Sequence, residues 1–167
     1  MRRHGGATVV PASAPEVVAL DNPSGADRVD TENIDLDEDS ERLTITLKDT
    51  VRSGAQRLHI SFRGVLNDKL KGFYRSTFVD TAGEQQVIAT TQFEATDARR
   101  AFPCWDEPEL KAVFGVTLVV DDDLAALSNA QEIGRTPRDD GKVAVQFADT
   151  MKMSTYLVAF IVGPLDV

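Results

Sequence analysis

The chain has 167 residues, of which 42% are hydrophobic and 27% charged, a balance typical of a soluble globular protein. This length suits one domain with a hydrophobic core of its own. Its 27 acidic residues outnumber the 18 basic ones, which gives a net charge of −9. Because phosphate binding needs a clustered basic surface, this charge balance argues against nucleic acid and anionic membranes as the main partners.

The cysteine content and the first residues indicate the compartment. Cys104 is the sole cysteine, so no internal disulfide can form, which fits a reducing environment. Pro11 and Pro15 interrupt the apolar residues after the basic start, whereas a signal peptide needs an unbroken apolar core. No apolar run approaches the roughly 20 residues of a membrane span. We therefore expect a cytoplasmic protein without a membrane span.

The first half of the chain changes character near residue 42. Residues 1–40 are rich in acidic and turn-forming residues and predict irregular structure, with 16–20 as a candidate edge strand. Apolar residues then alternate with polar ones at 43–47 and again at 57–62. This period of two predicts two strands, each with one buried face.

The second half continues the strand pattern. Two runs rich in β-branched and aromatic residues, separated by turn-forming residues 80–84, predict a hairpin. The strands predicted from these and later runs are 72–79, 86–93, 113–120, 143–147 and 156–162, with a turn at 139–141. One helical turn is expected at 97–101, because Pro103 stops it. Many short strands joined by turns predict an all-β fold, an antiparallel β-sandwich.

Residues 90–108 combine a polar strand end, a charged segment and an aromatic group between two prolines. Gln92 and Glu94 are two positions apart on a predicted strand, so we expect them on one face, with Phe93 in the core. A carboxylate can bind an α-ammonium group by a charge-assisted hydrogen bond, and an amide beside it adds no charge. From residue types alone, a polar strand face without a ligand stays the alternative.

The charged residues that follow are interpreted as structural. The arginines at 99–100 are expected to pair with carboxylates and tie the loop down, while Phe102 and Trp105 fill its underside. The neighbouring carboxylates at 106–107 are expected to point apart, which does not suit an acid/base pair.

Histidine is too scarce for a metal site or for nucleophilic catalysis in this chain. The two histidines are His4 and His59, and the His-Glu-x-x-His motif is absent. We therefore expect no metal ligand and no catalytic residue here. Cys104 lacks a base for the same reason and is interpreted as a buried structural thiol.

Five segments, in the same order, resemble the N-terminal domain of zinc metallo-aminopeptidases of the aminopeptidase N and puromycin-sensitive type, the gluzincin family. These segments are 62–76, 90–108, 110–114, 127–129 and 153–163. The resemblance implies a saddle-like antiparallel β-sandwich at 42–167, preceded by an irregular acidic segment, 1–41, that resembles the family poorly. It also implies a sandwich that lacks its first strands, in a fragment without the catalytic domain.

The same resemblance implies a function. In the family, the residue matching Gln92 lines the pocket for the first substrate residue, and the residue matching Glu94 binds the peptide's amino terminus. The implied activity is zinc-dependent hydrolysis of the N-terminal residue from peptides, an exopeptidase reaction in peptide catabolism. Zinc would be bound in the complete enzyme, so this chain alone is expected to be inactive. The expected partners are a peptide with a free amino terminus and the catalytic domain. The alternative is a stand-alone, non-catalytic peptide-binding module or an inactive remnant.

Overall fold

The structure, a computed structural model, describes residues 16–21 and 29–166. They fall into two compact units, the second formed by residues 66–98 together with 106–166 and the first by the rest. Apart from two short 3-10 helices, both units are built from strands that pair antiparallel. The predicted all-β, antiparallel class is confirmed.

The first unit contains one four-stranded sheet. Its strands are β1 (Glu16–Asp21), β2 (Val29–Asp37), β3 (Arg42–Leu47) and β4 (Arg57–Ser61), in the order β3-β2-β1-β4. The predicted strands at 43–47 and 57–62 are confirmed within one residue at their ends. Leu43 is buried while Ile45 and Leu47 are half-buried, as the alternation predicts.

Residues 1–40 differ from their prediction. The irregular structure expected there is wrong at 29–37, because this acidic segment forms β2, with Ile34 and Leu36 half-buried and its acidic side chains exposed. A register shift between Thr31 and Asn33 breaks the period of two, which hides the strand from pattern reading. The candidate strand at 16–20 is confirmed as β1, although it lies inside the sheet rather than at its edge. Positions 1–15 and 22–28 of this segment lie outside the described residues.

The second unit contains the remaining two sheets. Its strands are β5 (Gly72–Val79), β6 (Gln85–Gln92), β7 (Thr117–Asp121), β8 (Ala125–Ser128), β9 (Glu132–Pro137), β10 (Lys142–Phe147) and β11 (Phe160–Gly163). The four-stranded sheet has the order β5-β6-β11-β8 and the three-stranded sheet β7-β10-β9. The predicted hairpin is confirmed, since β5 and β6 pair along their full lengths. Strands β8 and β9 were not predicted.

Two predicted strands of this unit are shorter than expected. Residues 113–116 precede β7 without joining it, and the segment from Tyr156 forms part of a 3-10 helix, Thr155–Leu157, before β11 begins. The expected helical turn at 97–101 is present as a second 3-10 helix, Ala98–Arg100.

The core of the second unit joins its two sheets. Buried side chains from β7, β8 and β10 pack together, with half-buried residues from β7, from the residue before it and from β11 against them, so the sheets form a sandwich. They are Val120, Ala126, Val143, Val145 and Phe147, with Val116, Leu118 and Val162 at the margin. Fully burying one such aliphatic side chain stabilises the fold by about 1.5–3 kcal/mol. The packing is close enough that Gly163 has no room for a side chain, since a Cβ there would lie 2.6 Å from Cγ2 of Ile88.

Candidate functional site

Gln92 and Glu94 lie where β6 ends. The ladder with β5 finishes at the pair Gly72–Gln92, and Glu94 follows in a turn at 94–97. The N–H of Asp97 donates to the carbonyl of Phe93 at 2.9 Å, which closes this turn. The peptide bond between Glu94 and Ala95 is cis. Glu94 was predicted on the strand; the structure places it two residues beyond the last pair of the ladder.

Burial alternates across this segment as the sequence predicted. Phe93 is 2% exposed, whereas Gln92 and Glu94 on either side of it are exposed. Within residues 29–166, no group forms a hydrogen bond or ion pair with the Glu94 carboxylate or the Gln92 side-chain amide. Both polar groups are therefore available to a ligand, and their role in binding stays a prediction.

Phe93 is held by an aromatic cluster, which we define as Phe73, Phe93 and Phe160. The ring of Phe160 meets the edge or face of both other rings, with centroids 6.3 Å from Phe93 and 6.0 Å from Phe73. The interplanar angles of 81° and 84° are the T-shaped geometry that aromatic quadrupoles favour. The backbone N–H of Phe160 also donates to Oγ1 of Thr91 at 3.2 Å.

The two arginines after this turn form the ion pairs that the sequence led us to expect. Nη1 of Arg99 and Nη2 of Arg100 each lie 3.2 Å from a different oxygen of the Glu41 carboxylate. Glu41 ends the β2–β3 turn with a positive φ of 54°, a conformation that is uncommon for a residue other than glycine. Sequence reasoning missed this partner because 58 residues separate it from Arg99.

The segment at 104–106 is partly as predicted. Cys104 is buried, as predicted, and Asp106 is 3% exposed. Trp105 between them is 49% exposed, so the prediction that it fills the underside of the loop is wrong. Alternation along this extended backbone explains the difference, since burying the residues on both sides turns the indole outward. Phe102 is half-buried, closer to its expected position.

The buried carboxylate of Asp106 has a structural partner. Oγ1 of Thr155 donates to it at 2.6 Å, and both side chains are almost fully buried. The adjacent Ser154 donates from Oγ to the carbonyl of Pro108 at 2.7 Å. These bonds fasten the acidic segment to the chain that leads into β11. They were invisible in the sequence because the partners are far apart along the chain.

A shallow groove beside the β9–β10 hairpin is a rival site. It has a volume of about 380 Å³ and is lined by the side chains of Arg135, Arg138 and Lys142. Each cation already has a carboxylate partner: these pairs are Arg135–Glu132 at 3.1 Å, Arg138–Asp140 at 3.4 Å and Lys142–Asp121 at 2.6 Å. The hydrogen bond to Asp121 raises the pKa of Lys142, and that from Arg135 lowers the pKa of Glu132. All three cations are therefore engaged in ion pairs, two within the hairpin and one with β7, and the groove is a weaker candidate than the end of β6.

The described residues hold neither a metal-ligand cluster nor a membrane-spanning helix. There, no three or more His, Cys, Asp or Glu side chains group closely enough to hold a metal ion. His59 is exposed on β4, and His4 lies outside the described residues. Among the described residues, no helix has the length and apolar character needed to cross a membrane.

Comparisons with known proteins identify the family. The peptidase M1 N-terminal domain matches residues 11–157. The chain is 54% identical over 125 residues to the puromycin-sensitive aminopeptidase of Caenorhabditis elegans, covering 74% of this chain and 13% of that protein. It is 44% identical over 149 residues to aminopeptidase M1 of Arabidopsis thaliana, covering 89% and 17%. Human aminopeptidase N is 41% identical over 153 residues, covering 89% and 16%.

The matches cover most of this chain but only a small part of each relative. The chain spans between 13% and 17% of the length of these three relatives. The family match includes residues 11–41, and the domain boundary expected at residue 42 stays a prediction. Because the match covers most of the chain and is supported by relatives that are themselves aminopeptidases, the chain belongs to the peptidase M1 N-terminal domain family.

Proposed function

We propose that this chain supplies the amino-terminus anchor of an aminopeptidase, the site at which a peptide's free α-ammonium group is bound. The anchor consists of Glu94 and Gln92 at the end of β6. The observation that carries the proposal is an exposed carboxylate and amide, without partners in the described chain, on either side of a fully buried ring. Membership of a peptidase family whose matched relatives are aminopeptidases supports it.

The chemistry fits these two side chains. An α-ammonium group has three N–H donors and a full positive charge, and a carboxylate is the acceptor that complements both. In this role Glu94 would accept a charge-assisted hydrogen bond, and the carbonyl of the Gln92 amide would accept a second. An exopeptidase needs such an anchor, because recognition of a free amine restricts the reaction to the first peptide bond.

The remaining steps of the reaction belong to the complete enzyme. We propose that it is a zinc-dependent, cytoplasmic exopeptidase that removes N-terminal residues from peptides. The described part of this chain offers no donor set that fits a zinc ion, so no step through a metal is assigned to its residues. Its own contribution is to bind and orient the substrate, and alone it would not hydrolyse peptides.

Calorimetric titration tests the proposal on the 167-residue chain. Trialanine carries a free amine and N-acetyltrialanine does not, so the ratio of their affinities measures recognition of the α-ammonium group. Hydrogen bonds to charged groups contribute about 1.5–3 kcal/mol, so Glu94→Gln should weaken trialanine binding by roughly tenfold or more. Binding of the acetylated peptide should not change.

The matched control is Glu84→Gln, which neutralises another exposed glutamate in the same unit. It should leave both affinities unchanged. A wild-type chain that binds the two peptides equally would contradict the proposal, as would an unchanged ratio in Glu94→Gln. If the natural protein showed the preference but no peptide hydrolysis, the alternative of a stand-alone binding module would replace the aminopeptidase.

A further inference from the structure

The position of Glu94 needs an explanation, because this residue lies outside the β-sheet ladder. The last cross-strand pair of β6 is Gly72–Gln92, so no pairing with β5 fixes the residue that follows Phe93. A binding residue must be held within about 0.5 Å of its productive position to contribute fully. Something other than the ladder must therefore restrain the turn at 94–97.

Phe93 is one restraint on this turn, since it is the buried residue that separates the two anchor side chains. Its ring is 2% exposed, and its carbonyl accepts the hydrogen bond from the N–H of Asp97 that closes the turn. A shift of Phe93 as a whole would move this carbonyl and with it the start of the turn. The geometry of the anchor thus depends on what packs against Phe93.

Phe160 packs against Phe93 from β11 and contacts the end of the β5–β6 hairpin through both its ring and its backbone. Its ring contacts Phe93 and Phe73 in T-shaped geometry, and its N–H donates to Oγ1 of Thr91 on β6. Thr91 is itself the cross-strand partner of Phe73. Phe160 therefore contacts the last residues of β6 and Phe93 through both its side chain and its backbone.

The register of β11 explains why Phe160 reaches this place. Pairing of Ile161 with Thr90 and of Val162 with Ala89 brings the first residue of β11 beside Thr91, next to the end of β6. Strand alternation puts residues 91, 93 and 160 on one face of this sheet and Gln92 on the other. The aromatic cluster therefore supports the anchor from the opposite side, without occupying the space that a ligand would enter.

We infer that Phe160 is a positioning residue for the amino-terminus anchor, acting through Phe93 on the placement of Glu94. The inference rests on the proposed function. Phe160 would not touch the substrate, and its effect would be specific to the free amine, since only that group needs Glu94 in one place.

Three substitutions separate positioning from general stability. Phe160→Leu keeps an apolar side chain but removes both ring contacts, and aromatic pairs of this geometry contribute enough to change an equilibrium roughly twofold to tenfold each. Phe160→Tyr keeps the ring and is the conservative rescue. The control is Phe78→Leu, a half-buried aromatic on β5 whose side chain lies on the opposite face from Phe73.

The measurement is the affinity ratio of trialanine to N-acetyltrialanine for each variant of the full chain, together with amide hydrogen exchange at Asp97. In Phe160→Leu the ratio should fall roughly threefold to tenfold and the Asp97 amide should exchange faster. Phe160→Tyr and Phe78→Leu should both keep the wild-type ratio. If Phe160→Leu does not fold, as judged by circular dichroism, Phe160→Met replaces it with a closer volume and the same expectation.

The outcomes distinguish the two claims. A wild-type preference for the free amine that persists unchanged in Phe160→Leu overturns the positioning role and leaves the proposed function standing. Equal losses in Phe160→Leu and Phe78→Leu also overturn it, because they would reflect stability alone. A wild-type chain without any preference overturns the proposed function and the positioning role together.

Discussion

The two ends of the β5–β6 hairpin each carry an acidic residue, but the two carboxylates have opposite surroundings. At the tip, Asp80 accepts hydrogen bonds from the N–H groups of Ala82 and Glu84, both at 2.9 Å, and from Nε2 of Gln86 at 2.8 Å. At the open end, the Glu94 carboxylate has no such partner in the part of the chain that the structure describes.

This difference in hydrogen bonding distinguishes a structural acid from a candidate binding acid in this protein. The hydrogen bonds at the tip, that from Gln86 first, lower the pKa of Asp80 and use its acceptor capacity to shape the turn. Glu94 follows Phe93, which is packed in the aromatic cluster, and its carboxylate oxygens can accept hydrogen bonds from another molecule. A carboxylate that is fixed in place but has no internal partner is the stronger candidate for binding.

The largest change in stability is expected when the buried Phe93 side chain at the open end of the hairpin is removed. Phe93→Ala should lower the free energy of unfolding by about 3–5 kcal/mol, because it removes a fully buried ring and leaves a cavity. Val87→Ala near the tip truncates a side chain that is 50% exposed and should change the free energy of unfolding by about 0.5 kcal/mol or less. Urea unfolding measures the stability of both variants. Similar losses of stability in Phe93→Ala and Val87→Ala would contradict the claim that the open end is the better packed end of the hairpin.

Thr155→Val should have the next largest effect. The substitution removes the hydroxyl that donates a hydrogen bond to the buried Asp106 carboxylate. Leaving a buried acceptor short of a partner costs about 1–3 kcal/mol of stability. Thr77→Val, the same change at an exposed site on β5, should be close to neutral. If Asp106 is a structural acid, the preference for free-amine peptides will be the same in both variants; a loss confined to Thr155→Val would make Asp106 part of the site.

Glu41→Gln should have a smaller effect. Its ion pairs with Arg99 and Arg100 join side chains that are 17–43% exposed, so we expect a loss of about 0.5–1 kcal/mol that shrinks as salt is added. Glu38→Gln in the same turn is the control. A loss that does not depend on ionic strength would show that Glu41 acts by packing or backbone geometry instead.

The smallest effect is expected at the tip, and it should depend on pH. The pKa of Asp80 is lowered in the folded state, so its contribution is present above the unfolded value, near 3.8, and is lost as the pH falls through the folded value. Asp80→Asn should therefore be slightly less stable than wild type at pH 7, and the difference should shrink in strong acid. A stability difference that grows on acidification would mean that folding does not lower the pKa of Asp80 and that its carboxylate does not stabilise the turn.

Most of the fold could be predicted from residue patterns. The hairpin of β5 and β6 and the strand at 143–147 have the β-branched and apolar content that defines a strand locally. The strands that were missed lack that signal: β2 is acidic and carries a register shift, and β9 contains a glycine and a proline. Their pairing partners, rather than their own residues, decide that they are strands.

The residues of the candidate site could be predicted from the sequence, but the contacts that hold them in place could not. Alternation around Phe93 sufficed to place Gln92 and Glu94 at the surface, and the family resemblance suggested their role. The contact with Phe160, the bond from Thr155 to Asp106 and the arginine pairs to Glu41 all join positions at least 49 residues apart. Only the folded chain brings such partners together, so no local pattern in the sequence could reveal them.

Amide chemical shifts of the ¹⁵N-labelled chain during titration with trialanine test the central contrast most directly. If the open end of the hairpin binds the free amine, the largest shift changes will map to residues 92–97, and residues 80–84 at the tip will not respond. N-acetyltrialanine at the same concentration will leave both ends unchanged. Equal responses at the two ends, or a response at 92–97 that survives acetylation of the peptide, would contradict the account.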